Sequence, residues 1–140
     1  MGPIFDAWKF PLEGALHALL LAAEHIRGNN RNGKAVLNLS WGIGVDWTTA
    51  VPPFVRVMRK LMQSLQTDLG AVIVMAAGND GKNEDGYASE RYYPQRLVWD
   101  GSLPHALVIG ATDYNAKYAS ISSRFTKAKP EILYAPGYKV

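Results

Sequence analysis

The stretch Ala71-Val72-Ile73-Val74-Met75-Ala76-Ala77-Gly78-Asn79-Asp80-Gly81 most narrows what this chain can fold into. Its apolar, β-branched run stops abruptly at small residues, a glycine and an asparagine. A run of this kind, bounded by a turn signal, predicts a strand buried on both faces. Open α/β sheets place their ligands beyond the carboxyl ends of their strands. Asn79 follows this strand at that end. Its side-chain amide can donate a hydrogen bond to a substrate oxygen, and the small residues before it leave room for an approaching backbone.

The rest of the chain alternates helix and strand. Leu12 to Arg27 reads as a helix, with Leu12, Leu16, Leu19, Leu20, Ala23 and Ile26 at helical spacing. Gly28, then Asn29 and Asn30, ends it in the manner of a left-handed C-terminal residue. Lys34 to Ser40 reads as a strand, and Trp41 to Gly44 as a loop at its carboxyl end. Thr48-Thr49 followed by Pro52-Pro53 signals a helix start. Phe54, Met58, Leu61, Met62, Leu65 and Leu69 then form one helix face, a core stripe that Gly70 closes. Ala106 to Ala111 is a further strand, and Glu131 to Ala135 a short fourth. Gly78 to Pro104 reads as a long, mostly polar loop of the kind that is usually functional. This order predicts an α/β fold: three layers, a mainly parallel sheet with flanking helices. Both flanks of so small a sheet are expected to lack neighbours, so it looks like part of something larger.

At 140 residues the chain suits a single domain, 1–140, able to bury a core without staples. A hydrophobic content of 48% against 19% charged excludes a disordered composition. The absence of cysteine excludes disulfides and thiolate chemistry. The net charge of +3 is spread along the chain and accompanies no nucleic-acid-binding motif. No apolar run approaches the ~20 residues that span a bilayer, and Met1 to Pro11 offers no basic signal-peptide start. Neither nucleic acid nor membrane is expected as a partner, and the compartment stays open.

Several segments, in order, resemble the subtilisin-like serine proteases. Lys34 to Gly42 is similar to their Val-Ile-Asn-Met-Ser-Leu-Gly strand, and Ala71 to Gly81 to their next strand and its Ala-Ala-Gly-Asn end. Tyr93-Pro94 resembles their Tyr-Pro. Leu103 to Asp113 resembles their Pro-x-Val-Ile-x-Val-Gly-Ala-x-Asp run. Ala119 to Ser123 resembles Ala-Ser-Phe-Ser-Ser, and Ala135-Pro136-Gly137 the Ala-Pro-Gly before the nucleophile region. The matches cover roughly Leu12 to Gly137. The resemblance implies the central part of such a peptidase domain, with serine endopeptidase activity as the parent function. It implies that Asn79 is the oxyanion-hole donor. It also implies that Ser40, Trp41 and Gly42 pair with substrate backbone, and that Ala76, Ala77 and Gly78 wall the main specificity pocket. A cis Tyr93–Pro94 bond is a further implication.

The departures are as specific. The family's Asp-Thr/Ser-Gly, His-Gly-Thr and Gly-Thr-Ser-Met-Ala motifs do not occur in these residues. They would lie before Met1 and after Val140. An oxyanion hole without a serine–histidine–aspartate unit has nothing to stabilise. Trp41 stands where leucine is usual and would crowd neighbouring substrate pockets. Arg96 to Ser102 looks like an insertion.

Other residues invite plainer readings. His17, His25 and His105 read as packed or solvated side chains, and Ser40, Ser120, Ser122 and Ser123 lack a nucleophile-elbow pattern. Asp80, Glu84 and Asp85 could bind calcium, but their spacing fits no EF-hand, and a solvated acidic turn explains them. No metal site and no cofactor are assigned. Tyr92, Tyr93 and Trp99 could line a cleft or cover the sheet. Two functions follow. The chain is a piece of a peptidase domain, inactive alone and completed by the missing parts, with a peptide or protein as substrate. Alternatively, it is a degenerate, non-catalytic subtilase that binds peptides or proteins and self-associates to cover its edges.

Overall fold

The computed structural model describes residues 12–44, 52–82, 88–126 and 130–138. Helix α1 runs Leu12–Gly28, strand β1 Val36–Leu39, β2 Ile43–Gly44, helix α2 Pro53–Thr67 and β3 Val72–Ala76. A 3-10 turn at Ser89–Arg91 leads into β4 (Tyr92–Tyr93) and α3 (Gln95–Trp99). Strands β5 (Leu107–Thr112) and β6 (Leu133–Pro136) follow. The main sheet has the order β1-β3-β5-β6, and all its pairings are parallel.

The sheet separates its faces by residue parity, as a pleated strand must. Ile73, Met75, Val108 and Leu39 point to one face and are buried. Helices α1 and α2 pack there through Leu19, Ala23, Ile26, Val55, Met58, Met62 and Leu65. The opposite face is open among the described residues: Val36 is 69% exposed, Val72 46% and Leu133 48%. So the expected burial of β3 on both faces holds for one. The described residues give the expected α/β architecture, a mainly parallel sheet with flanking helices.

Helix ends follow local chemistry. Pro53 sits in the first turn of α2, where its missing N–H costs nothing. Thr48 and Thr49 lie outside the described residues. Gly70 takes φ +61° and turns α2 into β3. Helix α1 runs through Gly28, and the left-handed residue after it is Asn30, at φ +52°.

The segment expected to be one long loop is partly ordered. Gln95–Trp99 is a short helix that overlaps the stretch read as an insertion, and Tyr92–Tyr93 pairs antiparallel with Ile43–Gly44. The loop expected at Trp41 to Gly44 therefore ends in a two-stranded ribbon. The Tyr93–Pro94 bond is cis.

The segments after β3 and β5 are clamped together. Ser123 donates its backbone N–H to Gly78 O at 3.0 Å, and Gly81 donates to Ile121 O at 2.9 Å. Asp80 N–H donates to Ser123 Oγ at 3.1 Å. Ser89 N–H reaches Arg124 O at 2.7 Å. The Glu90 carboxylate accepts from Thr126 N–H at 3.0 Å and also from its hydroxyl. Gly81 permits this approach, because a Cβ there would lie 2.4 Å from Ser122 O and 2.7 Å from Ser120 O.

Two stability measurements check this picture. Ile73→Ala empties a fully buried site and should cost about 2–5 kcal/mol in urea unfolding. Val72→Ala, next to it on the open face, should cost far less. Gly81→Ala should cost about 1–3 kcal/mol, because the clash is with backbone that cannot swing away.

Candidate functional site

Strands β1 and β3 lie in parallel register, with Asn38 opposite Val74 and Leu39 opposite Met75. Their carboxyl ends are therefore level. Ser40 to Gly42 leaves one strand beside Ala76 to Asn79 leaving the other. Between them is a cavity of about 200 Å³, lined by Ser40, Trp41, Gly42, Ala76, Gly78 and Asn79, and closed by Asp80, Tyr92 and Gln95. Asn79 is exposed at its rim.

Ala77 stands apart from the other expected site residues. It is 1% exposed and does not line the cavity. Its N–H donates to Ile109 O at 2.9 Å, and its carbonyl accepts from the Ser89 hydroxyl at 2.7 Å. It anchors the strand end from behind.

Gln95 braces the cleft. Its Nε2 donates to Trp41 O at 3.0 Å and to Ala76 O at 2.8 Å, one bond to each cleft segment. Both partners are carbonyl oxygens, so the amide is oriented with nitrogen toward them. That leaves Oε1 buried and without a hydrogen-bond partner among the described residues. A buried acceptor left unpaired costs about 1–3 kcal/mol. Gly42 leaves Gln95 and Tyr92 their room, since a Cβ there would lie 3.1 Å from Oε1 and 3.0 Å from the Tyr92 Cβ.

Tyr92 forms the far wall. Its hydroxyl donates to Asp80 Oδ2 at 2.5 Å. Burial pushes its pKa up to about 12, aided by this hydrogen bond and the Asp80 charge, with Arg91 opposing. The phenol therefore stays protonated at neutral pH and acts as a donor. Tyr93, next to it, is buried in the core. The pair that could line a cleft or cover the sheet does both.

The remaining candidates lie elsewhere. His17, His25 and His105 are exposed and do not line the cleft. Ser40 Oγ donates to Asn38 Oδ1 at 3.3 Å. Ser122 and Ser123 spend their hydroxyls on backbone groups, Ser122 on Ala111 N–H at 3.0 Å. Asp80 is the one member of the acidic trio in view, because Glu84 and Asp85 lie outside the described residues. Among the described residues no three His, Asp or Glu side chains gather in metal-binding fashion, and no helix is long and apolar enough to cross a membrane. A larger open hollow of about 380 Å³ lies beside β6, lined in part by Tyr118, Arg124 and Tyr134. None of the expected site residues reaches it.

Asp80 and Gln95 escape an assignment of cleft roles from sequence, whereas Tyr92 carries a cleft reading as one of two alternatives. Asp80 reads as an acidic turn residue, and a glutamine is mostly a surface residue. The signal that could have flagged Gln95 is its position just after Tyr93-Pro94.

Comparison with known proteins gives the family and the fold. The subtilase family model matches residues 13–140. A subtilisin-like protease of Coccidioides posadasii is 27% identical over 128 residues, which is 91% of this chain and 26% of that protein. The chain thus spans about a quarter of the length of that curated relative. The prenylagaramide maturation protease PagA shares the fold at a TM-score of 0.54 and 25% identity, over 85% of this chain and 37% of that one. The PatG macrocyclase in complex with peptide is similar in fold at a TM-score of 0.62 and 18% identity, over 94% of this chain and 32% of that one. With a parallel sheet, a cleft at its carboxyl edge and a family match over nearly its whole length, this chain belongs to the subtilase family, the subtilisin-like serine proteases.

Proposed function

We propose that this chain forms the oxyanion-hole and substrate-cleft portion of a serine endopeptidase domain. One observation carries the reading: Ser40 to Gly42 and Ala76 to Asn79 converge on one cavity at the level carboxyl ends of β1 and β3. A peptide laid along Ser40 to Gly42 would pair as an added strand. Its scissile carbonyl would then approach Asn79. When a serine attacks that carbonyl, the oxygen becomes negative, and the Asn79 amide would donate to it. Family membership supports this chemistry.

The chain by itself would not cleave peptides. Its histidines are remote from the cleft, its serines are committed to backbone or unactivated, and the three triad motifs do not occur in its sequence. The substrate is a peptide or protein, and the remaining parts of the domain are the natural partner.

The open face of the sheet supports a second reading, a non-catalytic module that binds peptides and self-associates. Val36, Val72, Leu107 and Leu133 form an exposed apolar row at the amino ends of the strands. Exposed apolar surface of this kind favours association.

Three outcomes test these readings. The isolated chain should not be labelled by a fluorophosphonate, and stoichiometric labelling would overturn its inactivity. In a protein that joins this chain to triad-bearing segments, Asn79→Ala should lower kcat by about 10²–10³ with KM little changed. Sedimentation of the isolated chain should show self-association on the second reading, whereas a strictly monomeric profile at high concentration counts against it.

A further inference from the structure

We propose that the hollow beside β6 binds a free aromatic amino acid. Arg124 takes its carboxylate, Glu131 its ammonium, and the rings of Tyr118 and Phe125 its side chain. The inference is independent of the peptide-cleft reading, because no residue that lines the hollow lines the cleft.

The walls carry opposite charges that do not neutralise each other. Arg124 and Glu131 both line the hollow, and both are exposed. Neither side chain makes a salt bridge or a hydrogen bond among the described residues. The Arg124 guanidinium lies over the Tyr118 ring, 5.2 Å from its centroid. Its charge also reaches Tyr134, where it opposes the burial that raises that phenol's pKa. Contact with a ring face leaves the N–H donors of the guanidinium fork to a carboxylate. The aromatic wall has a fixed shape. Tyr134 faces Gly110 across the β5–β6 ladder, and its ring takes the space that a Gly110 Cβ would fill, 2.5 Å from Cε1. Tyr118 leans on Tyr134, with ring centroids 4.5 Å apart at 47°, yet stays 59% exposed. Backbone bonds pin the segment that carries Arg124 and Phe125. Ser89 N–H donates to Arg124 O at 2.7 Å, and Thr126 N–H to the Glu90 carboxylate at 3.0 Å. Phe125 and Ile132, packed against the core, supply an apolar floor. A site ordered in advance loses less on binding.

Size and charge narrow the occupant. At about 380 Å³ the hollow falls at the lower end of the ~300–1,000 Å³ of small-molecule sites, room for one amino acid. An aromatic acid would pair with Arg124 and bring its charge toward Glu131. An aromatic amine would pair with Glu131 and bring its charge toward Arg124. A zwitterion answers both through charge-assisted hydrogen bonds. A planar ring adds edge or offset contact with tyrosine and phenylalanine faces that an aliphatic side chain lacks.

The test is an NMR titration of the isotope-labelled 140-residue chain. The probes are phenylalanine, 3-phenylpropanoate (no ammonium), 2-phenylethylamine (no carboxylate) and leucine (no ring). The amides of Phe125, Ile132 and Tyr134 report the hollow, and those of Gly42 and Asn79 report the cleft. Phenylalanine should shift the first set and bind on the order of tenfold more tightly than either singly charged analogue. Leucine should bind about threefold more weakly than phenylalanine. In Arg124→Gln, phenylalanine should fall to the level of 2-phenylethylamine, and in Glu131→Gln to that of 3-phenylpropanoate. Both substitutions change exposed side chains, and the amide spectrum of each variant reports its fold. Equal binding of phenylalanine and a singly charged analogue overturns the inference of a zwitterion. Equal binding of leucine overturns the part given to the rings. A phenylalanine preference that survives both substitutions overturns the roles of Arg124 and Glu131. Shifts confined to the cleft amides, or none at all, overturn the site. The peptide-cleft reading stands whichever of these is found.

Discussion

The clamp between Gly78 to Gly81 and the segment around Ser123 is the constraint on which the site depends. A strand end has no inherent shape, and a loop leaving it loses its ladder partners within a residue or two. Here the loop finds new ones at once. Ala77 bonds to Ile109, Gly78 to Ser123, Asp80 to the Ser123 hydroxyl and Gly81 to Ile121. Each bond crosses from the end of β3 to β5 or the segment after it. Asn79 sits in the middle of this run with its side chain outward. The clamp holds the backbone on both sides of Asn79, and the proposed role of its amide gains from a donor held in place beforehand.

The second organising fact is one-sided burial. Within β3, Ile73 and Met75 are buried while Val72 is exposed and Val74 partly so. A continuous apolar run is what a strand carries when both faces are destined for cover. Run and structure together say that the open face has the composition of an interior.

Much of this was legible in the sequence because the longer elements obey strong periods. The stripe from Met58 to Leu65 sets α2, and the run from Ala71 to Ala76 sets β3, each bounded by glycine. The ribbon of Ile43–Gly44 with Tyr92–Tyr93 was not legible, because two-residue strands far apart in sequence carry no periodic signal. Nor was α3, whose five residues are too few for a helical stripe. Within the site, Ser40, Trp41, Gly42, Ala76, Gly78 and Asn79, which line the cleft, were reachable through local motifs and family likeness. Asp80 and Gln95 acquire their cleft places only through tertiary contacts, and for Tyr92 those contacts decide between its two readings. The hydroxyl of Tyr92 has meaning because a fold brings Asp80 to 2.5 Å.

Gln95 joins both walls of the cleft through one amide nitrogen, which donates to the carbonyls of Trp41 and Ala76. The two segments are therefore not independent, because movement of one is passed to the other through a single side chain. A replacement unable to donate twice would release both walls at once, so the width of the cleft is set by a residue outside the two strands that frame it.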